Sequence, residues 1–426
     1  MKRYSSWRLA AVSLALCVVT AGAQTPSTLT LEESLTEAAK NSPRLHASAQ
    51  QAEAARASAR DAQASRLPKL DFGAAYNYTS EVAAIEFGPI RRQFGDGNMY
   101  DFALTARAPL FAGGALVERE RAERAAAQAS EQDLTSENLR LSYDVRRAYF
   151  NALGAEKRLQ TAQQAADRLD RHLKELRGAK TAGMASDEMV IQTEARLQQT
   201  EVGVLGAEAD ATAARLMLGN LIGRSGEEVV PAEELEVSLT PEAATSNESR
   251  SEVAAINARV EQTKHLTRAA QGGFLPTLSA QAAYHYGKPG VDQLKNEWMN
   301  YSTVGINLNW TLWDWNSRSA KIAQTRAGMH TLEARKQELV NGINTRLATA
   351  EANLKAARAS LDKASERLNL EQRRFELVRG RYQIGTTSES EFLDAQDDLT
   401  SAELDRSTAT VKLRLAEAEW LNAAGK

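Results

Sequence analysis

The chain has 426 residues, and its 52 basic residues nearly balance 55 acidic ones, for a formal net charge of −3. Both signs are interspersed, so the composition gives no case for a nucleic-acid partner. The only cysteine, Cys17, lies in a segment that we expect to be removed. Disulfides, cysteine metal sites and thiol catalysis are therefore excluded in the mature chain.

The first residues have the pattern of a secretory signal peptide. Three basic residues surround the start of an apolar run over 9–21, and Ala21-Gly22-Ala23 ends it. We expect cleavage after Ala23, so residues 1–23 are left out of the fold. No later apolar run approaches the length of a transmembrane helix, so any membrane-spanning part must be built from strands.

The second half of the chain repeats the first. RLPKLDFGAAYNY (66–78) and FLPTLSAQAAYHY (274–286) share seven of thirteen letters in register. Each half reads as helix, strand, loop, strand, long helix, tight turn and long helix, which predicts an internal duplication. We expect a first repeat over 24–222, a connector or equatorial region over 223–248, and a second repeat over 249–426.

The first repeat is predicted to hold strands at 70–82 and 99–110 and a long helical hairpin at 115–222. The second is predicted to hold strands at 278–287 and 301–312 and a hairpin at 316–424. Residues 85–98 and 287–298 are rich in Gly, Pro and charge, and we expect loops there. In the long helices, apolar residues recur on average every 3.5 positions, as in coiled coils. Leucines seven residues apart show this period best: Leu347, Leu354, Leu361 and Leu368.

The last predicted strand alternates strictly between apolar and polar residues. Val304, Ile306 and Leu308 alternate with small and polar side chains, which is typical of a strand facing lipid on one side and water on the other. Aromatic residues expected at the two membrane interfaces flank this strand: Trp298 and Tyr301 at one end, and Trp310, Trp313 and Trp315 at the other. A soluble strand with one buried face is the alternative interpretation.

Four strands cannot close a membrane sheet. An open edge in lipid leaves backbone groups unpaired, and single-chain barrels begin at about eight strands. An oligomer is therefore required. Leu67-Pro68 and Leu275-Pro276 mark the two points where helix ends and strand begins, because proline ends a helix.

Four stretches carry a family resemblance: LTLEESLTEAAKNSPRL (29–45), the two Leu-Pro junctions, APLFAGG (108–114) and RGRYQIGTTSESEFLDAQDDLTSAELD (379–405). With them the chain resembles the TolC-type outer-membrane efflux proteins, or outer membrane factors. The resemblance implies a homotrimer with a twelve-stranded β-barrel in the outer membrane of a Gram-negative bacterium and a long coiled-coil α-helical tunnel in the periplasm. It also implies contact with outer-membrane lipid, a periplasmic adaptor (membrane fusion protein) and an inner-membrane pump or ABC exporter.

The resemblance further implies roles for residues at the helix tips. Glu391 and Asp394 fall on the family's pore constriction, and Tyr382 on a tyrosine that helps hold the entrance closed. Met189 stands where many relatives place an aspartate, which puts that closing hydrogen bond in question. The residues expected to meet the adaptor lie in two turns: Gly183, Met184, Ala185, Ser186, Gly385, Thr386, Thr387 and Ser388.

A structural interpretation of the same turns is chain reversal alone. In it, glycine ends one helix, and Ser388 with Glu391 forms a capping box that starts the next. Acids in a first helical turn also favour the helix dipole without any pore role. The two interpretations are compatible.

The expected function is a passive exit duct of a tripartite efflux pump or type I secretion system. No nucleophile with its base, phosphate loop or metal-ligand spacing occurs, so we expect neither an enzyme nor a cofactor. The alternative is a soluble periplasmic coiled-coil scaffold or an adaptor. An adaptor should carry a glycine-rich, lysine-bearing strand pair between its helices, and the sequence has none.

Overall fold

A computed structural model describes residues 27–82, 84–93, 97–232, 246, 249–292 and 295–426. The expected signal peptide and residues 233–245 of the expected connector lie outside these residues. The helices are α1 Leu31–Asn41, α2 Pro43–Ala64, α3 Ala115–Thr181, α4 Asp187–Leu221, α5 Ser251–Gly272, α6 Ser317–Gln383 and α7 Glu389–Ala424. The strands are β1 Ser27–Leu29, β2 Lys69–Tyr78, β3 Ala84–Phe87, β4 Ile90–Gln93, β5 Asn98–Ala112, β6 Val229–Pro231, β7 Thr277–Lys288 and β8 Met299–Asn309.

Two long helical hairpins, α3–α4 and α6–α7, form most of the molecule. Helices α3 and α6 are each 67 residues long, which at about 1.5 Å per residue is roughly 100 Å. Helix α7 packs against both α6 and α3. Helices α3 and α7 pack closely at Gly154, where a Cβ atom would lie 2.6 Å from the Val411 side chain. Small residues at the contact therefore let neighbouring helices pack tightly.

Strands β2, β5, β7 and β8 form an antiparallel sheet in that order. Because of the register, the apolar and polar side chains that alternate along the strands lie on opposite faces of the sheet. Phe72, Leu104, Tyr284 and Ser302 lie in one row across the sheet, and Leu70, Ala106, Ala282 and Val304 in another on the same face. The opposite face carries Asp101, Gln281 and Asn307. One face is thus apolar and aromatic, and the other is polar.

Two predicted strands end earlier than expected. The strand expected over 70–82 ends at Tyr78, where its pairing with β5 stops at Asn98. The strand expected over 301–312 ends at Asn309, which pairs with Thr277, the first residue of β7. The residue before Thr277 is Pro276, which has no N–H to extend the ladder. Strand ends are therefore set by the partner strand.

The expected loop over 85–98 contains regular structure, which the sequence analysis missed. Strands β3 and β4 pair as a short antiparallel hairpin with Phe87 opposite Ile90. Gly88, with φ +59°, occupies the turn between them. The interpretation of the whole segment as an irregular loop was therefore wrong.

The α5-to-β7 junction meets the β5-to-α3 junction in space. Helix α2 ends before Pro68 and α5 ends before Pro276. Gly113, with φ +59°, lies so close to the α5 terminus that a Cβ atom on it would be 2.2 Å from the Gly272 carbonyl oxygen. Only glycine fits both the left-handed conformation and this close approach.

One hydrophobic cluster of the described residues lies midway along helix α3. Tyr149 and Phe150 of α3 are fully buried against the end of α4 and against Val229. Strands β1 and β6 pair in parallel beside this core. Among the described residues, no helix is both long and apolar enough to cross a membrane.

Candidate functional site

The tips of both helical hairpins are built alike. Gly183 has φ +73° and Gly385 has φ +74°, and each ends its helix in the left-handed conformation. The N–H of Met184 donates to the Ala179 carbonyl at 2.8 Å, and that of Thr386 to the Arg381 carbonyl at 2.9 Å. The two turns are therefore equivalent Schellman-type C-caps, as a duplicated sequence predicts.

The following helices both begin with a serine cap. Ser186 Oγ accepts the Met189 N–H, and Ser388 Oγ accepts the Glu391 N–H, each at 3.2 Å. The capping box expected at Ser388 is only half formed. The Glu391 carboxylate accepts from Arg381 Nη2 at 2.8 Å, across the turn, rather than from the backbone of Ser388. A charged partner on the preceding helix is a stronger donor than a backbone amide.

The residues expected to meet an adaptor are mostly exposed. Met184 is 78% exposed, and Ala185 and Thr387 are half-buried. The other members of the set are exposed: Gly183, Ser186, Gly385, Thr386 and Ser388. Their side chains are small, so the two tips present backbone at the surface.

Four side chains form a buried polar group between the hairpins, which we call the tip cluster: His172 of α3, Thr193 of α4, Tyr382 of α6 and Glu389 of α7. The Tyr382 hydroxyl donates to Glu389 Oε2 at 2.5 Å. The other carboxylate oxygen, Oε1, accepts from His172 Nε2 at 2.7 Å and from Thr193 Oγ1 at 2.9 Å. Glu389 is only 5% exposed, so these donors replace its water.

The pKa values of the tip cluster follow from these contacts. Burial raises the pKa of Glu389, but the hydrogen bonds from His172, Tyr382 and Thr193 outweigh it and leave the pKa below 4.5. Burial, together with the hydrogen bond to Glu389, raises the pKa of the Tyr382 phenol above 10.0. Glu389 is therefore ionised and Tyr382 neutral at physiological pH.

Aromatic packing holds the tip cluster in place. The Tyr382 ring stacks on Phe392 with 4.7 Å between centroids, and His172 lies at the same distance from Phe392. Met189 packs against the apolar residues around them. Tyr382 thus finds its acceptor at Glu389, and Met189 contributes apolar contact.

Sequence reasoning missed His172, Thr193 and Glu389. One signal was available for Glu389, because it lies three and seven residues before Phe392 and Gln396, on the helix face that is buried. Glu391 and Asp394 lie on the exposed face of the same helix. Glu391 pairs with Arg381, whereas Asp394 pairs with no other described residue.

The family is decided by a sequence match. The family model for outer membrane efflux proteins matches residues 34–224 and 244–426. The chain belongs to the outer membrane efflux protein family. Each match contains one long helical hairpin and two strands of the four-stranded sheet, so the family pattern occurs twice in the chain.

Known relatives of this efflux protein cover almost its whole length. TolC of Vibrio cholerae is 22% identical over 409 residues, which is 93% of this chain and 90% of that protein. The alkaline protease secretion protein AprF of Pseudomonas aeruginosa is 24% identical over 402 residues, or 88% and 82%. The crystal structure of VceC from V. cholerae has a TM-score of 0.78 at 18% identity, covering 93% of this chain and 96% of that one.

As an outer membrane efflux protein, the chain lies in the outer membrane of a Gram-negative bacterium, with its helices in the periplasm. The aromatic residues expected at the interfaces lie at both ends of the sheet. Trp298 stacks on Tyr286 at 5.0 Å on the apolar face. Trp310 donates its indole N–H to the Phe274 carbonyl at 3.1 Å. Trp313 and Trp315 are 73% and 86% exposed.

Tyr301 departs from the expected aromatic set. Its ring stacks on His285 at 4.7 Å, and His285 Nδ1 lies 3.1 Å from the Asp101 carboxylate. These side chains belong to the polar face. Tyr301 therefore faces away from Trp298, because the two residues are an odd number of positions apart at the start of β8.

Proposed function

We propose that this outer membrane efflux protein is a passive trimeric channel, the exit duct of a tripartite efflux pump or a type I secretion system. The observation that carries the proposal is the open sheet. Among the described residues, strands β2 and β8 each pair on one side only, while the apolar face of the sheet is exposed. Phe72 is 72% exposed and Val304 is 84% exposed. Lipid would cover the exposed apolar face, and a neighbouring copy at each edge would pair with the free backbone groups of β2 and β8.

The strand order supports head-to-tail closure. All neighbours in β2-β5-β7-β8 are antiparallel, so β8 of one copy can pair antiparallel with β2 of the next. Two copies would make an eight-stranded barrel, whose interior is filled by side chains. Three copies give twelve strands and an open lumen lined by the polar face.

The gate is proposed at the periplasmic helix tips. Glu391 and Asp394 are exposed one helical turn apart, and three copies bring six carboxylates to one constriction. Such a ring favours cations over anions. Opening is a shift of the helix ends around Tyr382, driven by the adaptor and the inner-membrane transporter. The sequence contains no phosphate-loop motif that would bind a nucleotide as an energy source.

The turns at Gly183 and Gly385 are proposed to dock the adaptor. Their exposed, small side chains leave room for a partner helix to approach the backbone. The named role of AprF in protease secretion supports an export duct, and the family name supports efflux.

Purification and conductance test the proposal. The protein should require detergent, run as an SDS-resistant trimer that dissociates on heating, and form cation-preferring channels in planar bilayers. A protein released by osmotic shock as a detergent-free monomer would support a soluble scaffold or adaptor and overturn the channel.

A further inference from the structure

We propose that Glu389 is the latch of the periplasmic gate: its carboxylate ties Tyr382 to helices α3 and α4 and holds the tip closed. The inference deepens the proposed channel function and rests on it. It also gives Tyr382 an acceptor within its own chain, on the helix that follows it.

One carboxylate joins all four long helices at the tip. Glu389 belongs to α7 and accepts from His172 of α3, Thr193 of α4 and Tyr382 of α6. Thr193 has a single hydroxyl hydrogen, and the Met189 carbonyl also lies within reach of it at 3.0 Å. The ionised carboxylate is the stronger acceptor, so the hydrogen points to Glu389.

The tip cluster sits where the hairpins must separate for the pore to widen. Helix α7 is also fastened to α4 by the Arg196–Asp397 ion pair and to α3 by Arg168, whose Nη2 lies 3.2 Å from Glu403. The hydrogen bond from Tyr382 to Glu389 also links α7 to α6. A shift of α6 that breaks the Tyr382 hydrogen bond leaves a buried charge short of one donor, which makes the closed position a defined state.

The latch residue Glu389 and the pore-ring residue Glu391 differ in the exposure of their side chains. The Glu389 side chain is 4% exposed, whereas the Glu391 side chain is 47% exposed and pairs with Arg381. The two acids lie two residues apart in α7 but on opposite faces. Glu389 therefore acts on the position of the helices, and Glu391 on the ions that pass.

The test compares single-channel recordings of the purified full-length protein, wild type against Tyr382→Phe, Glu389→Gln and the double variant. Tyr382→Phe keeps the ring on Phe392 and removes only the hydroxyl. We expect each single change to raise the ratio of open to closed time about tenfold, the worth of one hydrogen bond to a charged group. The double variant should stay well below the product of the two single effects, because Glu389→Gln already removes the charge to which the Tyr382 hydroxyl donates.

Glu376→Gln is the matched control: among the described residues this exposed glutamate pairs only with Arg379 of its own helix, so the change should leave the open-to-closed ratio unchanged. If Tyr382→Phe and Glu389→Gln gate like the wild type while the wild type conducts, the latch is wrong and the channel stands. If the wild type forms no channel, the proposed function fails, and the latch with it. Should Glu389→Gln fail to assemble as an SDS-resistant trimer, Tyr382→Phe alone decides.

Discussion

Glu389 keeps its charge at only 5% exposure because three side chains donate to it. Since its folded pKa lies below the ordinary 4.5, its stabilising contribution is fully present above pH 4.5 and is lost as the pH falls through the folded value. Tyr382, whose pKa is raised above 10.0, contributes fully below pH 10.0 and loses its share as the pH rises through its own folded value.

We therefore predict that the tip loosens in acid, as the pH falls below 4.5 through the folded pKa of Glu389. The groups that face the carboxylate are His172 of α3, Thr193 of α4 and Tyr382 of α6, and Glu175 lies near enough to raise the pKa of Tyr382. Hydrogen-exchange protection factors of tip peptides, corrected for intrinsic rates, measure the effect. Glu389→Gln should remove the acid-dependent step; a step of the same size in that variant would contradict the assignment.

Arg381 gives a second prediction at this scale. Its guanidinium lies 2.8 Å from the Glu391 carboxylate and offsets the charge of the proposed ring. We expect Arg381→Gln to increase cation preference about fivefold, the worth of about 1 kcal/mol for one charge near 4 Å in water. Glu391→Ala with Asp394→Ala should decrease it. Reversal potentials in a salt gradient report both, and unchanged selectivity in the double variant would refute the ring.

At the scale of elements, Arg381–Glu391 is one rung of a regular ladder of ion pairs between α6 and α7. The other rungs are Arg374–Asp398 and Arg367–Asp405. Each rung is seven residues from the next on both helices, so the ladder follows the heptad of the coiled coil. The pairs are half-exposed and each adds little stability. Their regular spacing instead fixes the register of the antiparallel hairpin.

Periodicity explains what the sequence predicted well. The heptads and the alternation at Val304, Ile306 and Leu308 are local patterns, so helices and strands could be located without a partner. The strand ends at Tyr78 and Asn309 depend on where the neighbouring strand stops. The Glu391 carboxylate pairs with Arg381 on the preceding helix instead of completing the expected capping box. The tip cluster draws its members from four helices, so no local pattern contained it.

Two neighbouring glycines at the junction of β5 and α3 allow a matched test of the close contact there. Gly113 and Gly114 both have positive φ, but only at Gly113 would a Cβ atom meet another group, the Gly272 carbonyl at 2.2 Å. Gly114→Ala should cost about 1 kcal/mol from backbone strain alone. Gly113→Ala should cost about 3 kcal/mol, because the junction must also move. The two variants are compared by the temperature at which the proposed SDS-resistant trimer dissociates. Equal temperatures would mean that the contact between Gly113 and Gly272 does not contribute to stability.

At the scale of the whole molecule, the described residues of one chain form a four-stranded sheet with a free edge on each side. In the proposed channel the apolar face of this sheet is in lipid, which requires β2 to pair with β8 of a neighbouring copy. This closure also aligns the helices that follow the strands, since β5 leads into α3 and β8 into α6. The proposed barrel and tunnel would therefore close together.

Cysteine cross-linking tests that closure directly, because Cys17 is the only native cysteine and lies in the expected signal peptide. Gly73 on β2 has open space around its Cα, as does Gly305 on β8. We predict that Gly73→Cys, combined in turn with cysteine at residues 301, 303, 305 and 307, yields at least one pair that oxidises to a covalent ladder ending at three chains. Gly73→Cys with Gln281→Cys on the interior strand β7 is the control and should stay unlinked. A ladder that stops at two chains or runs past three would overturn the trimer, and the absence of links from every pair would mean that these edges do not meet.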